Sequence, residues 1–129
     1  MLIFTNGCFD IIHRGHLELL KYCSEIGDRV VVGLNSDSSV RKLKGSSRPI
    51  NNEKDRKFLL ENLVWVDEVI IFNEDTPHEL IQSLKPDIIV KGGDYKSADV
   101  IGADLAEVKI FRYVEGYSST RTIENISNR

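Results

Sequence analysis

The fold is decided by the stretch GCFDIIHRGH, which occupies residues 7–16. It follows a short apolar run at residues 2–4, typical of a β-strand, and it precedes a leucine-rich helical pattern. His13 and His16 therefore lie where a strand turns into a helix, and their spacing places both on one helical face. Gly15 allows a ligand to approach closely. Because the first turn of a helix offers unpaired N–H groups and a positive dipole end, we predict a triphosphate site here.

Apolar runs alternate with helical patterns along the rest of the chain. The predicted strands cover residues 2–5, 29–35, 68–72, 87–91 and 108–111. The predicted helices cover residues 15–26, 37–43, 53–63, 77–84, 98–106 and 118–126. This alternation is typical of a single α/β domain with a parallel sheet and helices on both faces, which binds ligands at the carboxyl ends of its strands. We expect one domain over residues 1–129, with the polar segments after strands one and four and before the last helix meeting at that edge.

Local signals mark where several helices begin. Ser36 or Asp37 caps the helix that ends near residue 43, and Asn52 caps the helix over 53–63. Within that second helix, the spacing predicts that Phe58, Leu59 and Leu63 share one side.

The composition is that of a soluble globular domain, since 41% of the residues are hydrophobic and 29% are charged. A net charge of -3 provides no basic surface for nucleic acid. No window approaches the roughly 18 apolar residues of a membrane span, and no secretory signal is recognisable, so we expect a cytoplasmic protein without a membrane partner. Cys8 and Cys23 form no disulfide framework. A zinc site built from these cysteines with His13 and His16 is disfavoured, because their spacing matches no closed zinc pattern.

Several motifs resemble one known family. The H-x-G-H pattern at residues 13–16 resembles the signature of the nucleotidyltransferase superfamily, in its cytidylyltransferase-like branch, and the Ser/Thr-rich turn at residues 115–121 is similar to that branch's second signature. The middle of the chain looks like the adenylyltransferase domain of bacterial ADP-heptose synthases, through NSD at 35–37, RKLKG at 41–45, SRPIN at 47–51, EDTP at 74–77, KPD at 85–87 and VKGGDY at 90–95. The resemblance covers almost the whole chain. It implies a Rossmann-like, doubly wound domain with a five-stranded parallel sheet.

The resemblance also implies an activity, the transfer of AMP from ATP to D-glycero-β-D-manno-heptose 1-phosphate with release of pyrophosphate. Mg²⁺ would enter with ATP, and the family suggests a homodimer. The kinase domain often fused to such a domain is absent here, which implies a stand-alone transferase. Two alternatives stay open: a cytidylyltransferase that makes a CDP-alcohol such as CDP-glycerol, and a non-catalytic nucleotide-binding module. The second is disfavoured because the histidines and the lysine of the motif are retained.

The roles of individual residues follow from the same resemblance. His13, His16 and Lys44 would be catalytic, and Arg48 and Arg56 would bind the substrates. Asp10 has three open roles: orienting the histidine turn, lying near Mg²⁺, or accepting backbone N–H bonds as a structural carboxylate. The residues implied in nucleotide binding are Gly7, Cys8, Phe9, Asp10, Gly15, Lys91, Gly92, Asp94, Tyr95, Ser118, Ser119 and Thr120.

Overall fold

The computed structural model describes residues 1–93 and 95–112. Its strands are β1 (Leu2–Gly7), β2 (Arg29–Asn35), β3 (Glu68–Phe72), β4 (Ile88–Gly92) and β5 (Glu107–Phe111). Its helices are α1 (Arg14–Ile26), α2 (Asp37–Lys44), α3 (Glu53–Glu61) and α4 (His78–Leu84). The five predicted strands and the first four predicted helices agree with these bounds to within two residues at each end. The closing helix predicted over 118–126 lies outside the described residues.

The five strands form one parallel sheet in the order β3-β2-β1-β4-β5. The central strand, β1, pairs with β2 on one side and with β4 on the other. The direction in which the chain adds strands therefore reverses at β1, and in such sheets the ligand crevice opens at this reversal. The predicted α/β fold with a five-stranded parallel sheet is confirmed, and the stretch at residues 7–16 leaves the sheet at its switch point.

Both faces of the sheet are covered, as predicted. On one face, α1 and α3 bury Leu19, Leu20 and Leu60 against alternate side chains of the central strands. On the other face, α4 buries Ile81 against Phe4 and its neighbours. At roughly 25 cal/mol per Å² of apolar surface removed from water, these two layers supply the main driving force for folding. None of the helices among the described residues has the length and apolar content needed to cross a bilayer.

The prediction of a helix over 98–106 is wrong. Only a single 3₁₀ turn forms, at Ser97–Asp99, and turns follow it up to β5. Gly102 lies in this segment with φ near +98°, and an added Cβ would lie 2.6 Å from the Ile89 side chain. The backbone therefore runs directly over the sheet at a left-handed glycine, which interrupts a helix.

The prediction for α3 also needs correction. Its buried residues are Arg56 and Leu60, whereas Phe58 is 66% exposed and Leu59 is 46% exposed. Helix α3 ends at Glu61, and Leu63 follows in a turn where it is partly buried against the core. Two of the three residues expected to share one side are therefore exposed, because the core-facing positions of α3 are those of Arg56 and Leu60.

Candidate active site

His13 and His16 lie at the start of α1 and cap the helix with their own side chains. Nδ1 of His13, the N-cap residue, accepts the backbone N–H of Gly15 at 3.0 Å. Nδ1 of His16 accepts the backbone N–H of His13 at 3.2 Å. This is a reciprocal capping box in which imidazoles replace the usual hydroxyl and carboxylate. The two rings stack, with their centroids 3.9 Å apart.

These hydrogen bonds determine the protonation of both rings. A ring nitrogen that accepts a backbone N–H carries no hydrogen, so in each neutral imidazole the hydrogen lies on Nε2. Burial lowers the pKa of His13 below its usual value. Burial, then the charges of His13 and Lys44, lower the pKa of His16 to about 3. At neutral pH the pair is therefore uncharged and presents two Nε2–H donors.

Asp10 ties the loop after β1 to the segment before α3. Its carboxylate accepts the backbone N–H groups of Ile50 and Asn51, both at 2.8 Å, and the Nε of Arg48 at 3.0 Å. These donors hold the pKa of the Asp10 carboxyl below its ordinary value, although burial opposes them most strongly. Of the three roles left open for Asp10, the structure supports the structural one, because its oxygens are engaged by protein donors.

Arg56 links three loops from beneath the site. It is fully buried, and its guanidinium donates to the carbonyl oxygens of Cys8, Asn35 and Asn51 at 2.8–3.0 Å. It also pairs with Asp37 at 2.8 Å. The structure thus does not bring Arg56 to the surface of the cavity, and its guanidinium holds the loops that follow β1 and β2.

Phe9 adopts the left-handed region, with φ near +46°. Such a conformation costs of order 1 kcal/mol for a side chain of this size, and persists only where surrounding contacts determine it. Here the neighbouring residues Cys8 and Asp10 are held by Arg56 and Arg48. The Phe9 ring is buried in the core and lies 5.1 Å from the His16 ring, centroid to centroid. The turn that carries the histidines is therefore rigidly built.

An open cavity of about 510 Å³ lies at the carboxyl edge of the sheet, beside this turn. Residues at the ends of β1, β2 and β4 and in the segments that follow β1, β2, β3 and β4 contribute to its wall. The lining residues are Asn6, Gly7, Cys8, Phe9, Asp10, His13, His16, Asn35, Leu43, Lys44, Asp75, Thr76, Pro77, Lys91, Gly92, Tyr95 and Ile101. The volume is within the range typical of small-molecule sites.

Two lysines flank the histidines within the cavity. Lys44 ends α2, which follows β2, and Lys91 lies in β4, so the two cations come from the strands on either side of β1. Burial lowers the pKa of Lys91, whose Nζ lies 5.4 Å from the centroid of the Tyr95 ring. Burial also raises the pKa of Cys8, against the charge of Lys44, so this thiol stays protonated between them. One lysine therefore flanks the two neutral donors on each side.

Large apolar side chains lie exposed around the cavity. Leu43 is 60% exposed, Tyr95 is 51% exposed and Ile101 is 45% exposed, although each lines the cavity wall. Exposed apolar groups that rim a concave polar site are typical of a surface that a ligand covers.

Most of the predicted site residues within the described part of the chain meet in this cavity. His13, His16, Lys44 and the predicted nucleotide-binding residues from Gly7 to Asp10 and from Lys91 to Tyr95 line it, apart from Asp94. Gly15 is buried within α1 and Arg48 lies behind Asp10, and neither lines the cavity. Asp94, Ser118, Ser119 and Thr120 lie outside the described residues.

Sequence reasoning assigned no site role to several residues of the wall, which include Asn6, Leu43 and Ile101. Asp75, Thr76 and Pro77 follow β3 and line the cavity, as does Asn35 at the end of β2. The signal was present, because these residues follow parallel strands at the edge where ligands bind.

Comparison with known proteins agrees with this geometry. The profile of the cytidylyltransferase-like family matches residues 4–125. The chain belongs to the cytidylyltransferase-like family. Its curated relatives include the bifunctional protein HldE of Nitratiruptor sp., which is 55% identical over 126 residues, and that of Helicobacter pylori, which is 56% identical. Each alignment covers 97% of this chain but only 27% of the relative, so the chain spans about a quarter of their length.

A solved structure supports the membership in this cytidylyltransferase-like family. The lipopolysaccharide core biosynthesis protein of Thermoplasma volcanium is 32% identical, with a TM-score of 0.74. The alignment covers 92% of this chain and 98% of that protein. The predicted relationship to the nucleotidyltransferases of this branch, and the predicted fold, are therefore confirmed.

Proposed function

We propose that this chain transfers AMP from ATP to a sugar 1-phosphate, with D-glycero-β-D-manno-heptose 1-phosphate as the acceptor. An oxygen of the acceptor phosphate attacks the α-phosphorus of ATP, the bond from that phosphorus to the bridging oxygen breaks, and pyrophosphate leaves. The observation that carries the proposal is the joint placement of His13, His16, Lys44 and Lys91 on one cavity wall at the start of α1.

The two histidines stabilise charge that develops in the transfer. Their Nε2–H groups donate to phosphate oxygens, while Nδ1 of each ring stays fixed to the backbone. Because the capping box holds the rings before substrate binds, little reorganisation is needed during the reaction. The loss of one such donor typically reduces kcat by about 10²- to 10³-fold. Positioning and electrostatics, without a covalent intermediate, suffice for phosphoryl-type transfer.

Lys44 and Lys91 neutralise the phosphates from the two sides. Lys44 is exposed at the end of α2, beside Gly45 with its positive φ, and it acts as a compact point charge over the triphosphate. Arg48 has one donor in use and one without a partner. Its Nε donates to Asp10, whereas its Nη2 is buried and has no hydrogen-bond partner among the described residues. In this proposal an anionic substrate group would satisfy that donor. Arg56 acts as a positioning residue beneath the loops.

Mg²⁺ enters with the triphosphate in this proposal. Within the described residues, no group of three histidine, cysteine or carboxylate side chains comes together to hold a metal. Asp10 already accepts three protein donors. Mg²⁺ commonly binds through substrate phosphates and water with few protein ligands, and when bound it offsets the charge on the leaving pyrophosphate.

The choice of base and of sugar rests on similarity. Gly92, the last residue of β4, and Tyr95, which follows it, line the cavity. Backbone groups there can meet the edge of adenine, and the Tyr95 ring can pack on its face. Asp94, Ser118, Ser119 and Thr120 keep their proposed roles in binding the nucleotide. The relatives named HldE and the lipopolysaccharide core biosynthesis protein favour a heptose phosphate. Cytoplasmic location, where ATP is available, and a homodimer complete the proposal.

The test is pyrophosphate release from ATP, Mg²⁺ and D-glycero-β-D-manno-heptose 1-phosphate, with ADP-heptose identified by mass spectrometry. CTP replaces ATP, and glycerol 3-phosphate replaces the sugar, in parallel reactions. We expect turnover with ATP and the heptose phosphate only. Turnover with CTP and glycerol 3-phosphate would assign the chain to the CDP-alcohol class, and nucleotide binding without any turnover would indicate a binding module.

A further inference from the structure

The cavity wall includes residues to which the proposed reaction assigns no role. In the order β3-β2-β1-β4-β5, the loop after β3 lies on the opposite side of the histidine turn from the loop after β4. Asp75, Thr76 and Pro77 form that loop's contribution to the wall, and Leu43 and Lys44 line the wall from α2. One end of the cavity is therefore lined by a separate set of residues. Of these residues, only Lys44 has a role in the reaction proposed above.

The charge of Asp75 limits what this end can bind. Asp10 and Asp75 are the two carboxylates on the cavity wall among the described residues, and Asp10 is engaged with protein donors. The Asp75 carboxylate is 86% exposed and lies 3.9 Å from Lys42, a separation at which an exposed pair holds its partners weakly. A carboxylate repels phosphate oxygens, so it fits a part of the substrate that carries hydroxyl donors.

Thr76 and Pro77 complete this set of groups. The Thr76 Oγ1 accepts the backbone N–H of His78 at 3.4 Å, which orients the hydroxyl and leaves its hydrogen to donate. Pro77 adds a buried apolar surface and Leu43 an exposed one. A carboxylate acceptor, a hydroxyl and apolar surface together match a sugar ring, which presents hydroxyl groups at its edge and C–H groups on its faces.

We propose that Asp75 and Thr76 bind the hydroxyl groups of the acceptor sugar and thereby select a polyhydroxylated acceptor. This inference rests on the proposed transfer reaction. The topology supports it, because the sugar end, the histidine turn and the β4 loop follow one another along the carboxyl edge of the sheet. An acceptor bound beside Lys44 then approaches the α-phosphorus from the side opposite to the β4 loop.

The test separates the kinetic constants for the two substrates. In Asp75→Ala we expect KM for the heptose 1-phosphate to rise about 10- to 100-fold, as for the loss of a hydrogen bond to a charged group. KM for ATP stays within about twofold, since the proposed contact of Asp75 is with the sugar and not with the nucleotide. The value of kcat stays nearly unchanged, because that contact is the same in the ground and transition states. Thr76→Val keeps the shape and loses the hydroxyl, and we expect a rise of about 5- to 10-fold.

Two matched controls accompany these variants. Glu74→Ala removes the neighbouring exposed carboxylate, which lines a separate groove with Glu79 and Ser83. Lys42→Ala removes the partner of Asp75 while keeping the carboxylate. Both controls should leave KM for the sugar phosphate within about twofold, because exposed pairs contribute little.

Three results would overturn the inference. An unchanged KM for the sugar phosphate in Asp75→Ala, with the wild-type protein active, would reject the sugar site and leave the transfer reaction standing. A shift in the Mg²⁺ concentration for half-maximal rate, without a change in KM for the sugar, would make Asp75 a metal ligand. A wild-type protein without turnover on any aldose 1-phosphate would reject the proposed reaction, and this inference with it.

Discussion

His13 and His16 each use Nδ1 to accept a backbone N–H of the same helical turn, with their rings stacked at 3.9 Å. The catalytic candidates are therefore also the cap of α1. Protonating either Nδ1 would remove an acceptor and place a charge in a buried pair. The stability of the fold and the state of the site are linked through these two nitrogens, and variants can separate the two contributions.

The free energy of unfolding should decrease as the pH is lowered through the range in which histidine titrates. The folded-state pKa of His16 is about 3, whereas an unfolded histidine titrates near 6.5, so the unfolded chain binds more protons below that value. His16 alone should account for a loss of about 2 kcal/mol between pH 7 and pH 5. His13 contributes in the same direction. Denaturant unfolding at several pH values measures the slope, and His16→Asn should flatten it. An equal slope in the variant would contradict this assignment.

The capping and catalytic roles of His13 can be distinguished by two substitutions. His13→Asn keeps a good N-cap acceptor, so the free energy of unfolding should stay close to that of the wild-type protein. His13→Ala loses the cap and should destabilise the protein by about 1 kcal/mol. Both variants lose the Nε2–H donor, and we expect kcat to fall about 10²- to 10³-fold in each. Full activity in a well-folded His13→Asn would remove this ring from the mechanism.

Lys44 should matter for activity and hardly at all for folding. Its side chain is exposed at the end of α2, and it lines the cavity. Lys44→Ala should reduce kcat/KM by about 10²-fold or more through the lost charge on the triphosphate. The midpoint of thermal unfolding should stay nearly unchanged. Lys54→Ala, which removes an exposed lysine of α3 outside the cavity, is the matched control. Equal rates in both variants would exclude Lys44 from the site.

Arg56 should behave as a structural group. Because its donors satisfy three carbonyl oxygens and Asp37, Arg56→Met leaves these acceptors without this partner. We expect a destabilisation of about 3–5 kcal/mol, as when one partner of a buried ion pair is removed. Arg56→Lys keeps the charge but not the branched geometry, and should recover only part of the loss. A fully stable Arg56→Met with a raised KM for one substrate would instead support direct substrate binding.

The chain order of strands and helices could be predicted because the signals are local. A strand buried on both faces is a continuous apolar run, as at residues 29–35, and Asn52 and Ser36 cap helices through side-chain bonds to residues three positions on. The histidine turn is likewise encoded by ten consecutive residues. The predicted helix over 98–106 failed because a weak local pattern there yields to the path over the sheet at Gly102.

Contacts between distant residues could not be read from local patterns. An arginine in a helix is usually solvated, yet Arg56 is buried because the loops after β1 and β2 present carbonyl oxygens to it, from residues 48 and 21 positions away. Its burial also turned Phe58 and Leu59 outward. The position of Asp75 opposite the β4 loop likewise depends on the strand order. Short-range hydrophobic spacing and capping thus determine the elements, whereas the packing of those elements decides which polar groups meet, because such groups pair only when separate segments converge.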